Sequence, residues 1–127
     1  MANVPLIAIV DDDDAICIAT ESLIRSLGLR ARCFASAEAF LGSDILGETA
    51  CLITDVHMPG ISGLELQEVL VARGQKMPIV FITAYPEEAI HMRARAGGAA
   101  AVLRKPFDGG SLSDCVMGIL RKEGTTF

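Results

Sequence analysis

Short apolar runs alternate with amphipathic segments along the whole chain. The runs predict five buried strands, at residues 5–10, 31–35, 50–55, 78–84 and 99–104. Apolar residues at helical spacing predict helices at residues 14–27, 37–42, 63–73, 86–96 and 108–121. Strict alternation of helices with almost continuously apolar strands favours an α/β fold, with a doubly wound parallel sheet covered on both faces.

Several polar and glycine residues mark the ends of the predicted helices. Gly28 and Gly74 follow the first and third helices, where glycine commonly ends a helix. Ser36 is placed to cap the short second helix. Pro86 opens the fourth helix, where a missing backbone N–H costs little.

Composition narrows the classes of function. The chain has 127 residues, 51% of them apolar, and a net charge of -5. This length predicts one domain, residues 1–127, with no effector domain. The charge argues against direct contact with nucleic acid. No apolar run is long enough for a membrane span, and no secretory signal is visible, so we expect a cytoplasmic protein. The four cysteines lack metal-binding spacing and are expected to be buried thiols.

Five polar residues follow the predicted strands. Asp11 and Asp12 follow the first, Asp55 ends the third, Thr83 lies at the end of the fourth and Lys105 follows the fifth. In open α/β sheets, ligands bind at the carboxyl ends of the strands, so we expect these side chains to converge. Clustered carboxylates suit Mg²⁺, and an aspartate can accept a phosphoryl group. The residues therefore predict phosphoryl transfer to a carboxylate, with Mg²⁺ and Lys105 neutralising charge.

The run of four aspartates at residues 11–14 divides into different roles. Asp11 and Asp12 belong to the metal site. Asp14 stands where the first helix begins, and we predict that it is the N-cap. Asp13 is expected to be a solvated carboxylate with no specific role.

Four segments resemble the signature segments of the response-regulator receiver domain. They are IVDDDD, LITDVHMPGISGLEL, FITA and LRKPF, and they occur in the family's order and spacing over essentially the whole chain. The resemblance implies a flavodoxin-like five-stranded sheet in the order 2-1-3-4-5. Finer features resemble receivers found with LuxR-type DNA-binding domains.

The resemblance also implies a role for each site residue. Asp55 would be the phosphoacceptor. Mg²⁺, or Mn²⁺ in its place, would be held by Asp11, Asp12, Asp55 and the backbone carbonyl of His57. Thr83 and Lys105 would bind the transferred phosphoryl group. The bond from Lys105 to the following proline would be cis.

One position departs from the family's pattern. Receivers usually carry Tyr or Phe three residues before the lysine, and this chain has Val102. The usual coupling between the site threonine and that aromatic ring is therefore in doubt. Tyr85 lies two residues beyond Thr83 and is a candidate substitute. The side chain of His57 could be a ligand or general base, but a rim position is favoured.

The leading hypothesis is a phosphorylation-controlled signalling module rather than an enzyme. A histidine kinase or phosphotransfer protein would donate to Asp55, and the surface of the fourth helix, fifth strand and fifth helix would contact an effector or form a homodimer. One rival is a pseudo-receiver that binds a partner without phosphorylation. Another is a haloacid-dehalogenase-type phosphatase, which would need an aspartate where this chain has His57.

Overall fold

The computed structural model describes residues 4–84, 87–105 and 109–122, and within them strands and helices alternate. The strands, β1 to β5, are Leu6–Val10, Arg30–Phe34, Thr49–Asp55, Ile79–Thr83 and Ala101–Arg104. The helices, α1 to α5, are Asp14–Ser26, Ala37–Leu41, Gly63–Ala72, Glu88–Ala96 and Gly109–Lys122. A single 3-10 turn, Leu46–Glu48, precedes β3.

The strands form one parallel sheet in the order β2-β1-β3-β4-β5. The chain runs from β1 outward to β2, then crosses back to β3 on the other side of β1. This reversal makes the gap between β1 and β3 the switch point at which such sheets bind ligands. The predicted flavodoxin-like topology is confirmed.

Two apolar layers cover the sheet, one on each face. On one face α2, α3 and α4 pack around Phe34, Phe40 and Phe81, and the first two rings meet edge to face at 5.5 Å. On the other face α1 and α5 pack together, with Leu112 and Val116 fully buried. Each such side chain contributes roughly 1.5–3 kcal/mol of burial free energy. No described helix is both long and apolar enough to cross a membrane.

The predicted boundaries agree with the structure to within a few residues. The second strand begins at Arg30, one residue earlier than expected, and the first helix ends at Ser26. Gly28 has φ +84°, as its predicted role at the helix end requires. The 3-10 turn was not predicted because three residues are too few to show a period. The predictions for Tyr85 and for residues 86 and 106 lie outside the described residues.

A buried amide joins α3 to the carboxyl end of α4. Gln67 is 2% exposed, and its Nε2 donates to the carbonyl oxygen of Ala94 at 3.0 Å. A Cβ at Gly97 would lie 2.7 Å from the same nitrogen, so the glycine leaves the space that the amide occupies. Outside this contact, Arg93 forms a 2.8 Å ion pair with Glu68. The two helices are thus tied together near the end of α4.

Candidate phosphoacceptor site

The sheet brings the ends of four strands to one edge. Asp11 directly follows β1, Asp55 ends β3, Thr83 ends β4 and Lys105 directly follows β5. Backbone hydrogen bonds continue past the strands: the N–H of Asp11 donates to Phe34 O at 3.1 Å, and that of Lys105 to Thr83 O at 2.8 Å. The main chain that carries these side chains is therefore fixed by the sheet itself.

Lys105 bridges the two buried carboxylates. Its Nζ lies 2.9 Å from Asp55 Oδ2 and 3.2 Å from Asp11 Oδ2. The side chains of Asp11 and Asp55 are only 4% and 9% exposed. Two carboxylates so close would repel one another in a poorly hydrated setting, and the ammonium offsets that repulsion. The sequence predicted that these groups meet but not that one lysine contacts both carboxylates.

The surroundings of the site raise the pKa values of Asp11 and Lys105. Burial raises the pKa of Asp11, although the backbone hydrogen bond from Asp13 and the charge of Lys105 act in the opposite direction. Burial alone would lower the pKa of Lys105. The hydrogen bond to Asp55 and the charges of Asp55 and Asp11 outweigh this effect and raise it. Lys105 is consequently a firmly protonated cation at neutral pH.

Backbone N–H groups orient both buried carboxylates. The N–H of Asp13 donates to Asp11 Oδ1 at 2.9 Å, and the N–H of His57 donates to Asp55 Oδ1 at 3.2 Å. In each case an aspartate bonds the main chain two residues on, which is a known tendency of this side chain. That tendency was the available sequence signal for both contacts, and it was missed. The side chain of His57 is exposed.

The three aspartates have the donor set that a hard divalent cation needs. One carboxylate oxygen from each of Asp11, Asp12 and Asp55 lies within 4.8 Å of the others, and Asp12 is exposed while the other two are buried. Mg²⁺ prefers oxygen ligands and keeps several waters, so an open edge at Asp12 suits it. The residues therefore fit the ion predicted from the sequence. The role of the His57 carbonyl stays a prediction.

The predicted roles of Asp13 and Asp14 were wrong. Asp13 is the N-cap of α1, since its Oδ1 accepts from the N–H of Ala15 at 2.9 Å and from that of Ile16 at 3.2 Å. Asp14 is instead the first helical residue, where its charge favours the positive end of the helix dipole. The prediction failed because four identical residues give no sequence signal for the cap position.

Thr83 and Val102 lie on the neighbouring strands β4 and β5. Thr83 is fully buried at the last position of β4. Val102 lies opposite Phe81 in the pairing of β5 with β4, and it is half-buried against the layer formed by α2, α3 and α4. A valine here fills space in that layer but offers no hydroxyl group.

Comparison with known proteins agrees with this geometry. Residues 7–117 match the family described as the response regulator receiver domain. The response regulator protein TmoT of Ectopseudomonas mendocina is 45% identical over 104 residues, which cover 80% of this chain and 46% of TmoT. The chain thus spans about half the length of the curated relatives it matches.

Solved structures give the same result. The structure of the response regulator StyR has a TM-score of 0.88 and 37% identity, covering 96% of this chain and 62% of that chain. A response regulator receiver protein from Pseudoalteromonas atlantica has a TM-score of 0.87 and 30% identity, with coverage of 94% and 99%. With its strand order and its edge of acidic side chains, the chain belongs to the response regulator receiver domain family.

Proposed function

We propose that Asp55 accepts a phosphoryl group from a phosphohistidine of a sensor kinase or histidine phosphotransfer protein. The observation that carries the proposal is the position of Asp55 at the switch point of the sheet, 2.9 Å from Lys105 Nζ and with a carboxylate oxygen within 4.8 Å of oxygens of Asp11 and Asp12. A carboxylate oxygen of Asp55 attacks phosphorus while the bond from phosphorus to the donor imidazole breaks. The other ring nitrogen of the donor carries a proton, so the departing nitrogen keeps the bonding electron pair and the donor leaves as neutral imidazole, with an acyl phosphate formed on this chain.

Each site residue has a physical part in that transfer. The backbone N–H of His57 holds one oxygen of Asp55, which leaves the other directed at Lys105. Lys105 offsets the charge of the arriving phosphoryl oxygens. Bound Mg²⁺ would supply a second positive charge beside those oxygens, held by Asp11, Asp12, Asp55 and the carbonyl of His57.

Output would follow from the charge that phosphorylation adds. The group carries about two negative charges. We propose that the hydroxyl of Thr83, at the end of β4, moves toward it and donates a hydrogen bond. We propose that this shift alters the surface of α4, β5 and α5. A complete reversal of a 1:99 population would need about 5.5 kcal/mol of differential interaction. Val102 has no aromatic ring that could respond to the movement of Thr83, so Tyr85 remains the candidate substitute.

An apolar cleft beside Lys105 offers a contact surface for the donor. Its walls include Ile16, Ala19 and Leu23 on α1, together with Ala84, and its volume is about 570 Å³. A donor imidazole must come within bonding distance of Asp55, so the donor protein must cover this side of the edge. In such a complex the apolar residues beside the point of transfer would lie in the core of the interface, which is the more apolar part of a protein contact.

The effector, the cellular compartment and the contact surface are proposed from the family. The curated relatives are about twice as long as this chain, which supports an attached or separate effector, of the LuxR type or another. All four cysteines are thiols, which fits a reducing, cytoplasmic compartment. Contacts with the effector would use α4, β5 and α5, through which a homodimer would also form.

Labelling of Asp55 tests the proposal. Acetyl phosphate with Mg²⁺ should add one phosphoryl group, detected by intact mass, and Asp55→Asn should abolish the addition. Chelation of Mg²⁺, or Mn²⁺, should also abolish it. Absence of labelling in the wild-type chain would favour the pseudo-receiver, for which Val102 is the best support. Rapid turnover of a phosphate monoester would instead favour the phosphatase.

A separate test concerns Tyr85. If Tyr85→Phe and Tyr85→Ala respond normally to phosphorylation, Tyr85 has no part in the structural response.

A further inference from the structure

The first residue of α3 lies against the main chain of the acceptor aspartate. Gly63 is buried, and a Cβ built on it would lie 3.1 Å from the carbonyl carbon of Asp55 and 3.0 Å from the Cα of Val56. The carbonyl oxygen of Asp55 would lie closer still. These neighbours are backbone atoms of a central strand and its first following residue, so they cannot turn aside as a flexible side chain would.

Space, and not backbone conformation, requires glycine at this position. Gly63 does not have a positive φ, unlike Gly28 or Gly60, so an alanine could adopt its dihedral angles. The N–H of Gly63 donates to the carbonyl oxygen of Val56 at 2.9 Å, which draws the helix start onto the end of β3. Close approach of two backbones is a use of glycine that sequence patterns do not show.

The start of α3 is also held from its own side. Ser62 Oγ accepts from the N–H of Glu65 at 3.2 Å, and Glu65 Oε1 accepts from the N–H of Ser62 at 3.0 Å. This capping box fixes the first turn. Leu64 and Leu66 are buried beneath that turn. The helix therefore resists moving away, and an added methyl group would push on β3 as well.

We propose that Gly63 is a positioning residue for phosphoryl transfer, a role that rests on the proposed function of Asp55. The missing side chain lets α3 seat against the main chain of Asp55, and this contact fixes where the acceptor carboxylate meets Lys105. Ordinary contacts of a Cβ begin at 3.4 Å. An alanine would therefore displace the carbonyl of Asp55 or the helix by about 1 Å, and misplacement on that scale costs on the order of 100-fold in rate.

The test compares Gly63→Ala with two matched variants. Gly118→Ala adds the same methyl group on α5, where a Cβ would meet no described atom within 4 Å apart from its chain neighbours and the backbone of its own helix. Leu120→Ala lowers stability by opening a cavity beneath α5, on the opposite face of the sheet from α3, without adding an atom beside Asp55. Circular dichroism measures folding and thermal midpoint. Intact mass measures the initial rate of labelling by acetyl phosphate at saturating Mg²⁺ and saturating acetyl phosphate, at a temperature where each variant is folded.

The expected result separates position from stability. Gly63→Ala should be folded and should be labelled at least tenfold more slowly than wild type at saturation. Gly118→Ala should match wild type. Leu120→Ala should melt earlier but keep the wild-type maximal rate. A merely structural role for Gly63 would lower the midpoint of Gly63→Ala, as in Leu120→Ala, without changing its saturated rate.

Two outcomes would overturn the proposal. One is a folded Gly63→Ala with the wild-type rate. The other is a Gly63→Ala that stays unfolded even in trimethylamine N-oxide, which strengthens compact states, because the glycine would then serve folding and not position. Failure of the wild-type chain to label would count against the proposed function instead, so the two failures are distinguishable.

Discussion

The cap of α1 gives a sharp test of how the acidic run is used. Asp13 Oδ1 accepts two N–H groups at the start of the helix, from Ala15 at 2.9 Å and Ile16 at 3.2 Å. Asp13→Ala removes both hydrogen bonds, and Asp14→Ala removes neither. We therefore expect Asp13→Ala to lower the free energy of unfolding clearly and Asp14→Ala to leave it almost unchanged.

The size of each effect follows from the geometry. The two N–H groups are exposed, so water can replace the lost acceptor, and the loss at Asp13 should be about 1 kcal/mol. At Asp14 the lost interaction with the helix dipole, roughly 0.3–1 kcal/mol, is offset by the higher helix propensity of alanine. With about 2.1 cal/mol/K of unfolding entropy per residue, 1 kcal/mol corresponds to roughly 4 °C in the thermal midpoint.

Urea denaturation followed by circular dichroism would measure both variants, since the chain has no tryptophan to report fluorescence. Asp13→Asn is the matched control, because it keeps a capping oxygen while removing the charge. It should stay close to wild type. A loss for Asp14→Ala as large as that for Asp13→Ala would refute the assignment of the cap.

Three further perturbations probe other contacts. Lys105→Met removes the ammonium that repels a divalent cation, so calorimetry should show Mg²⁺ binding at least tenfold tighter, on the order of 1.4 kcal/mol. Labelling of Asp55 should become slower. Weaker Mg²⁺ binding would contradict this reasoning. The backbone hydrogen bond from Ser62 lowers the pKa of Glu65, so its stabilising effect should be complete above about pH 5 and lost as pH falls through that lowered pKa. Urea titrations of Glu65→Ala and wild type should therefore converge in acid, and a constant difference down to pH 3 would argue against it. Gln67→Leu breaks the bond to Ala94 and should cost about 1 kcal/mol in urea denaturation, with an unchanged midpoint as the contrary result.

The fold was predictable because its signals extend over many residues. β1 and β4 are nearly continuous apolar runs, β2 alternates arginine with buried residues, and α5 shows a full stripe of buried residues at helical spacing. The order of the strands came from the family resemblance and not from the periodicity. The 3-10 turn at Leu46–Glu48 escaped prediction because three residues are too few to show a repeating pattern.

The main residues of the site could be predicted from the sequence, but the helix cap beside it and the close contact at Gly63 could not. Residue type and position after a strand were enough to bring Asp11, Asp55 and Lys105 together. The cap at Asp13 depended on a choice among equivalent neighbours that only backbone geometry makes. The need for Gly63 depends on a distance between two backbones, which no local pattern of side chains records.

The anchoring of α4 is unequal at its two ends, and this suggests how the helix would move. Gln67 and the Arg93–Glu68 ion pair hold its carboxyl end, whereas Glu87 at its amino end makes no side-chain capping hydrogen bond. A helix held in this way would tilt about the contact between the buried amide of Gln67 and Ala94. Nine residues span about 13 Å, so a tilt of about 10° would move the amino end roughly 2 Å and the pivot hardly at all. The amino end of α4 follows β4 along the chain. A small displacement of Thr83 at the end of β4 would therefore act on the end of the helix that moves most.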